Sequence, residues 1–312
     1  MSLYLGIDTS NYTTSLALYD DATKQMFRRQ KLLPVKKGEL GLRQSDAVYH
    51  HTAALHNLFC DLVKDIDTSQ IVCIGASSRP RPVEGSYMPC FLVGLNSAKI
   101  LAAALKIPMF EFSHQEGHIS AALFSAKKDE LFNRDFIAFH VSGGTTEAVF
   151  AKGYGSGFSL EMCAKSLDLH AGQAVDRVGL MLGLDFPCGA QLESLALNNT
   201  EKIKVRPTLK GCNCCLSGIE NQCKKLFEQN RSREYIAAYC IEYIRCSLEA
   251  MTDELIKKFG QLPLLYAGGV MSNTIIKNSF TKKYNAVFAQ PSFSTDNAAG
   301  TAYLAYRKFN NV

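Results

Sequence analysis

The chain has 312 residues, 47% of them apolar and 20% charged, with a formal net charge of +5. That length exceeds what one hydrophobic core usually serves, so one large or two linked domains are expected, and the composition excludes a disordered or fibrous chain. No apolar run reaches the roughly 18 residues a membrane helix needs, and "LYLGID" already reads as a core strand from residue 3; a chain with no membrane span or export signal, located in the cytoplasm, is expected.

In chain order, "LYLGIDTSNYTTSLALYD" reads as a strand ending at Asp8, a tight turn, and a returning strand "TSLALYD". Next comes the most basic stretch, "RRQKLLPVKKGELGLR", with Arg28, Arg29, Lys31, Lys36, Lys37 and Arg43. It reads either as a phosphate-backbone contact or as a solvated surface loop. Helical spacing follows in "YHHTAALHNLFCDLVKDI", then a buried strand "IVCIGASS", a long helix "CFLVGLNSAKILAAALKI" and a strand "PMFEFS". Ser113 and Glu116 satisfy the S-x-x-E capping box, so a helix starts there with His114 and His118 one turn apart on one face. The pair has metal-ligand spacing. The zinc-protease motif H-E-x-x-H is not met, because Gln115 follows His114 and the glutamate is Glu116.

The strand-turn-strand plan recurs in "FIAFHVSGGTTEAVFAKG", around Ser142-Gly143-Gly144, and suggests two similar lobes. "HAGQAVDRVGLMLGLDFP" reads as a helix with Asp176 in its middle, ended by Pro187 and Gly189. Asp176 also fits an ordinary ion pair among the neighbours of Arg177. A long helix "SREYIAAYCIEYIRCSLEAMTDELIKKFG" closes at Gly260, the strand "PLLYAGGVMSN" ends in Gly268-Gly269, and "DNAAGTAYLAYRKF" is the last helix, which Asp296 could simply cap. Alternating strands and helices argue an α/β fold with layered sheets. Gly143-Gly144 and Gly268-Gly269 are expected to form two hairpins facing each other across a cleft and to offer backbone N–H groups to phosphates. The eleven cysteines read as reduced core thiols. The run Cys212, Cys214, Cys215 lacks the paired C-x-x-C spacing of structural zinc sites.

The two glycine turns and the Asp8 turn, three in all, together resemble the actin, sugar-kinase and Hsp70-like (ASKHA) nucleotide fold. Read in order, "HQEGH", "HVSGGTTE", "AGQAVDRVGLMLGLDFPCG", "YAGGVMSN" and "STDNAAGTA" resemble the TsaD family, the tRNA threonylcarbamoyladenosine synthases once described as glycoprotein endopeptidases. The resemblance runs from Asp8 to Ala302. It implies two ASKHA lobes, residues 1–132 and 133–312, with a nucleotide cleft between them and the last helix, about 296–309, returning to the first lobe. It further implies that His114, His118 and Asp296 hold one divalent metal, iron or zinc. Ser142, Gly143 and Gly144 would lie on the phosphate side of an adenylate-type nucleotide, Asp176 at its ribose with Gly172 and Gly189 beside it, and Asn273 near the adenine. The implied partners are tRNA, a smaller TsaB-like paralog and a TsaE-like P-loop ATPase. No residue is singled out as the catalytic acid or base.

The chain departs from the family pattern in several places. Tyr12 and Thr13 stand where the first turn carries two acids, Thr145 replaces the histidine of S-G-G-H-T, and Gln173 replaces a common glutamate. "SRPRPVEGSYMPC" replaces a glycine-rich stretch, and "SGIEN" stands for S-G-L-K-T. These changes leave the three implied metal ligands intact but remove carboxylates. Two rivals to threonylcarbamoyl transfer to tRNA therefore stand: a diverged paralog that carbamoylates a small molecule, and a nucleotide-binding partner subunit without catalysis. Family partners of the latter kind lack the histidine pair, which argues against it.

Overall fold

A computed structural model describes residues 2–10, 12–34, 42–293 and 298–312 of the chain. The elements are, in chain order, β1 (Leu3–Asp8), β2 (Thr13–Asp20), β3 (Met26–Leu32), α1 (Gln44–Val63), β4 (Ile71–Arg79), α2 (Phe91–Leu105), β5 (Met109–Ser113) and α3 (His114–Ala126). They continue with β6 (Asp135–Val141), β7 (Thr146–Gly153), β8 (Phe158–Lys165), α4 (Ala171–Met181), α5 (Gly189–Leu197), β9 (Thr208–Lys210), β10 (Asn213–Cys215) and α6 (Gly218–Glu228). Last come α7 (Arg233–Phe259), β11 (Leu264–Ala267), α8 (Thr274–Tyr284), β12 (Val287–Phe288) and α9 (Ala298–Asn310).

The chain divides into two compact units: residues 1–134, 152–160 and 292–312, and residues 135–151 and 161–291. The first holds a sheet of order β3-β2-β1-β4-β5, with β1 antiparallel to β2 and parallel to β4. The second holds a sheet of order β12-β11-β6-β7-β8, with β11 parallel to β6. Read from β8, the second order repeats the first: a central strand, two successive strands on one side, two later strands on the other. The repeated plan read from the sequence is thus a repeated sheet topology.

In the first unit, β1 is buried along its whole length, and α1 and α2 cover one face through Leu55, Leu62, Leu95 and Ala98. The helix α9 covers the other. Its approach is close: a β-carbon on Gly6 of β1 would lie 2.5 Å from the Ala302 nitrogen, and one on Gly300 would lie 2.7 Å from the Ala121 nitrogen of α3. Two glycines therefore let α9 lie against both the sheet and the histidine-bearing helix. In the second unit the long α7 packs its Ile236, Cys240, Ile244, Leu248 and Met251 face into the core under β6 and β11. Tyr266 is fully buried there, with its hydroxyl 2.7 Å from that of Thr252, so no polar group is stranded by its burial.

Two expectations are corrected. The helix with Asp176 ends at Met181, not at Pro187 and Gly189, because Gly183 adopts a φ of +74° and turns the chain there. Gly189 instead opens α5. The Gly268-Gly269 turn is not a hairpin: β11 runs into a single 3-10 turn over Gly269–Ser272 and then into α8. The basic stretch is in part strand, since Arg28, Arg29 and Lys31 lie on the edge strand β3. Charged side chains on an edge discourage pairing with other chains.

Candidate functional site

The first unit carries the histidine pair. Its helix start is fixed locally: the Ser113 hydroxyl accepts from the Glu116 N–H at 3.2 Å, and the Glu116 carboxylate accepts from the Ser113 N–H at 2.7 Å. Glu116 is thereby spent as a cap and is buried, so it cannot serve as the general base of a protease. The His114 and His118 rings meet in a T-shaped contact, centroids 4.6 Å apart. Phe91 sets its edge toward His114 with centroids 6.0 Å apart.

Asp8, at the end of β1, is 1% exposed and meets the ring of His114: Oδ2 lies 3.0 Å from Nδ1. The Ser10 N–H donates to Oδ1 at 2.9 Å, and the hydroxyls of Ser10 and Ser77 donate to the same carboxylate. Burial pushes the carboxyl up, but the charge and hydrogen bond of His114, joined by Ser10 and Ser77, outweigh it and hold Asp8 at about 2. The contact brings the carboxylate to one ring nitrogen of His114, Nδ1. Two adjacent imidazoles, one oriented in this way by a carboxylate, are a donor set that suits iron or zinc. Asp296, the third implied ligand, falls outside the described residues; it precedes Ala298, the first residue of α9, by two positions. Among the described residues no group of three or more His, Cys, Asp or Glu side chains forms a metal site, the cysteine run included. Cys214 is a buried thiol that burial pushes up to about 12.

The second unit carries a pocket of about 490 Å³. Gly143, Gly172, Asp176, Gly189 and Asn273 all line it, and the second glycine turn contributes Gly269, Val270 and Ser272. Ser142 and Gly144 belong to the adjoining turn, closed by the Ser142 N–H donating to the Thr145 carbonyl at 2.7 Å. Helix α4 starts against that turn. The Gly172 N–H donates to the Ser142 carbonyl at 3.1 Å, and a β-carbon on Gly172 would come 2.5 Å from the Gly143 nitrogen. Gly172 is thus explained by packing. Gly143, Gly144, Gly189 and Gly269 are not: a β-carbon on any of them would meet nothing within 4 Å, and none has a positive φ. Glycines with neither a backbone nor a packing reason suit the close approach of a group from outside the chain.

Asp176 does not pair with the surroundings of Arg177, which binds Glu220 at 2.7 Å. Its Oδ1 instead accepts the Cys188 N–H at 3.0 Å, tying α4 to the loop before α5. Asn273 caps α8, its side chain accepting from the Ile276 N–H at 3.1 Å. The walls that sequence reasoning missed are apolar: Val175, Leu192, Ile241, Ile244 and Ile276, with Glu193 at the rim, its carboxylate held by the Thr274 N–H at 2.7 Å. An apolar cavity with a few placed polar groups is the usual form of a small-molecule site.

The basic residues of the 28–43 stretch have different surroundings. The Arg28 guanidinium lies 4.1 Å over the Phe293 ring and donates to the Ser292 carbonyl at 2.6 Å. Arg29 pairs with Asp61, and Arg43 with Asp46 at 3.1 Å. Lys31 lies on β3, and Lys36 and Lys37 fall outside the described residues. Among the described residues no helix is long and apolar enough to cross a membrane.

Residues 30–303 match the TsaD family, described as tRNA N6-adenosine threonylcarbamoyltransferase. A protein of that name from Neorickettsia sennetsu is 29% identical over 320 aligned residues, covering 98% of this chain and 93% of its own. Among solved structures, component A of the Acidaminococcus fermentans (R)-2-hydroxyglutaryl-CoA dehydratase superposes with a TM-score of 0.59 at 14% identity, covering 99% of each chain. A ROK family glucokinase from Streptomyces griseus does so with a TM-score of 0.53 at 11% identity, covering 98% of each. These likenesses carry the fold, which is the α/β ASKHA type.

Proposed function

The chain belongs to the TsaD family, the tRNA N6-adenosine threonylcarbamoyltransferases, and so to a family of transferases; from that premise we propose that it moves a threonylcarbamoyl group from threonylcarbamoyl-adenylate to N6 of the adenosine next to the anticodon in tRNA. The observation that carries this reading is the pocket of the second unit, where open glycines adjoin Asp176, Asn273 and an apolar wall. The flat base would rest on Val175, Ile241 and Ile276 near Asn273. Asp176 would accept from the ribose hydroxyls, and the Ser142-Gly143-Gly144 turn would face the phosphate with backbone N–H groups.

His114, His118 and Asp296 would hold one iron or zinc ion. When bound, such an ion supplies Lewis acidity toward a phosphate or carbonyl oxygen. The N6 amine is a weak nucleophile and the adenylate a good leaving group, so the work of the protein is to position the two and to stabilise charge on the departing phosphate. TsaB-like and TsaE-like partners follow from the family resemblance alone.

Purified protein given threonylcarbamoyl-adenylate and unmodified tRNA should transfer label from the threonyl moiety to tRNA, with the family partners added where needed. Absence of transfer with adenylate bound would reject the acceptor. One observation favours the small-molecule rival: Arg28 and Arg29 are engaged within the chain. Under that rival, tRNA binding shows no steep dependence on salt.

A further inference from the structure

We propose that Asp8 is the positioning residue of His114, its carboxylate taking the Nδ1–H, fixing the ring orientation and leaving Nε2 as the ligand atom. This rests on the reading that His114 is a metal ligand. Asp8 and His114 are separated by 106 residues and reach each other from independently fixed places. Asp8 ends β1, whose Ile7 is paired with Ala76 of β4, so Ser77 stands next to it. His114 opens α3 at the Ser113–Glu116 capping box. The carboxylate is itself pinned by the Ser10 N–H and the hydroxyls of Ser10 and Ser77, and Ser77 lies 3.3 Å from the Thr301 hydroxyl of α9. Four donors on one buried carboxylate leave it no freedom to turn away, and an acceptor-only partner dictates which ring nitrogen bears hydrogen. Ligating histidines as a rule donate their other N–H to such a group, and losing it costs about 10- to 100-fold in metal affinity.

The test uses the full chain, metal-free and labelled with 15N at histidine, at a pH where the ring is neutral; His114 is identified by its loss in His114→Gln. Wild type should show the Nδ1–H tautomer, and an Nε2–H ring would overturn the proposal without any variant. Asp8→Ala should shift the ring toward Nε2–H and weaken zinc binding, measured by chelator competition, by about 10- to 100-fold. Asp8→Asn fills the same volume with a neutral acceptor and should fall at the low end of that range if the alanine variant does not fold; Asp8→Glu should restore the wild-type tautomer. Zinc affinity unchanged in Asp8→Ala, or in Asp8→Asn where the alanine variant does not fold, would overturn the proposal. If the tautomer follows Asp8 while wild type takes no zinc, the hold of Asp8 on the ring is supported and the metal reading alone fails.

Discussion

Gly300→Ala tests the packing that brings α9 onto the histidine helix. The added β-carbon would lie 2.7 Å from the Ala121 nitrogen and 2.8 Å from the Gly117 carbonyl carbon, and closer still to the Gly117 oxygen. All three are backbone atoms inside α3, so no side chain can rotate away and the helices themselves must part. On its other side α9 has no slack, because the same helix lies against Gly6, whose β-carbon would sit 2.5 Å from the Ala302 nitrogen. Overpacking of this kind costs about 1–3 kcal/mol, and the rigid partners place this case in the upper half of that range. The loss should appear in urea denaturation of the full chain. Gly189→Ala is the control: its β-carbon meets nothing within 4 Å, so its stability should stay within about 0.5 kcal/mol of wild type. Should Gly300→Ala be as stable as that control, the close approach of α3 and α9 is wrong.

Asp176→Ala should weaken adenylate binding in titration calorimetry by about 1.5–3 kcal/mol, the worth of a hydrogen bond to a charged group, and should also loosen the loop that its carboxylate ties through Cys188. Asp168 gives a pH dependence. Burial raises its carboxyl, but the Ser217 hydroxyl and the Leu216 and Leu169 N–H groups lower it below its ordinary 3.8. A depressed folded value means that its stabilisation is complete above 3.8 and is lost as pH falls below that, so Asp168→Asn should flatten the acid limb of a stability profile. For tRNA, Lys31→Ala should weaken binding evenly across sequences and reduce the salt slope by about one, the signature of one phosphate contact, as read by filter binding at several salt concentrations. Arg28→Ala should instead lower stability, through its hold on Phe293 and Ser292.

Local signals were legible in the sequence wherever chain neighbours settle the outcome. The capping box at Ser113, the close of α7 at Gly260, and the strand ends at Asp8 and Val141 each depend on a few adjacent residues. The stop of α4 was not, because two glycines compete. Gly179 stays inside the helix, where a β-carbon would lie 2.6 Å from the Cys188 sulfur, whereas Gly183 takes the positive φ that ends it. Periodicity showed that α7 has an apolar face, but not that Ile241 and Ile244 on that face wall a pocket, since a core position and a pocket wall have the same period. The partnership of Asp8 with His114 joins β1 to α3 across the sheet and leaves no local trace. Charge density in the basic stretch likewise could not reveal that Arg28 binds the Ser292 carbonyl and Arg29 pairs with Asp61.

The most direct measurement of the central claim is complementation. Wild type and the His114→Ala, His118→Ala double variant are expressed in cells depleted of their own family member, and the nucleosides of total tRNA are quantified by mass spectrometry. The account predicts that wild type restores threonylcarbamoyladenosine and the double variant, folded and expressed to the same level, does not. Restoration by neither, or equally by both, would contradict it.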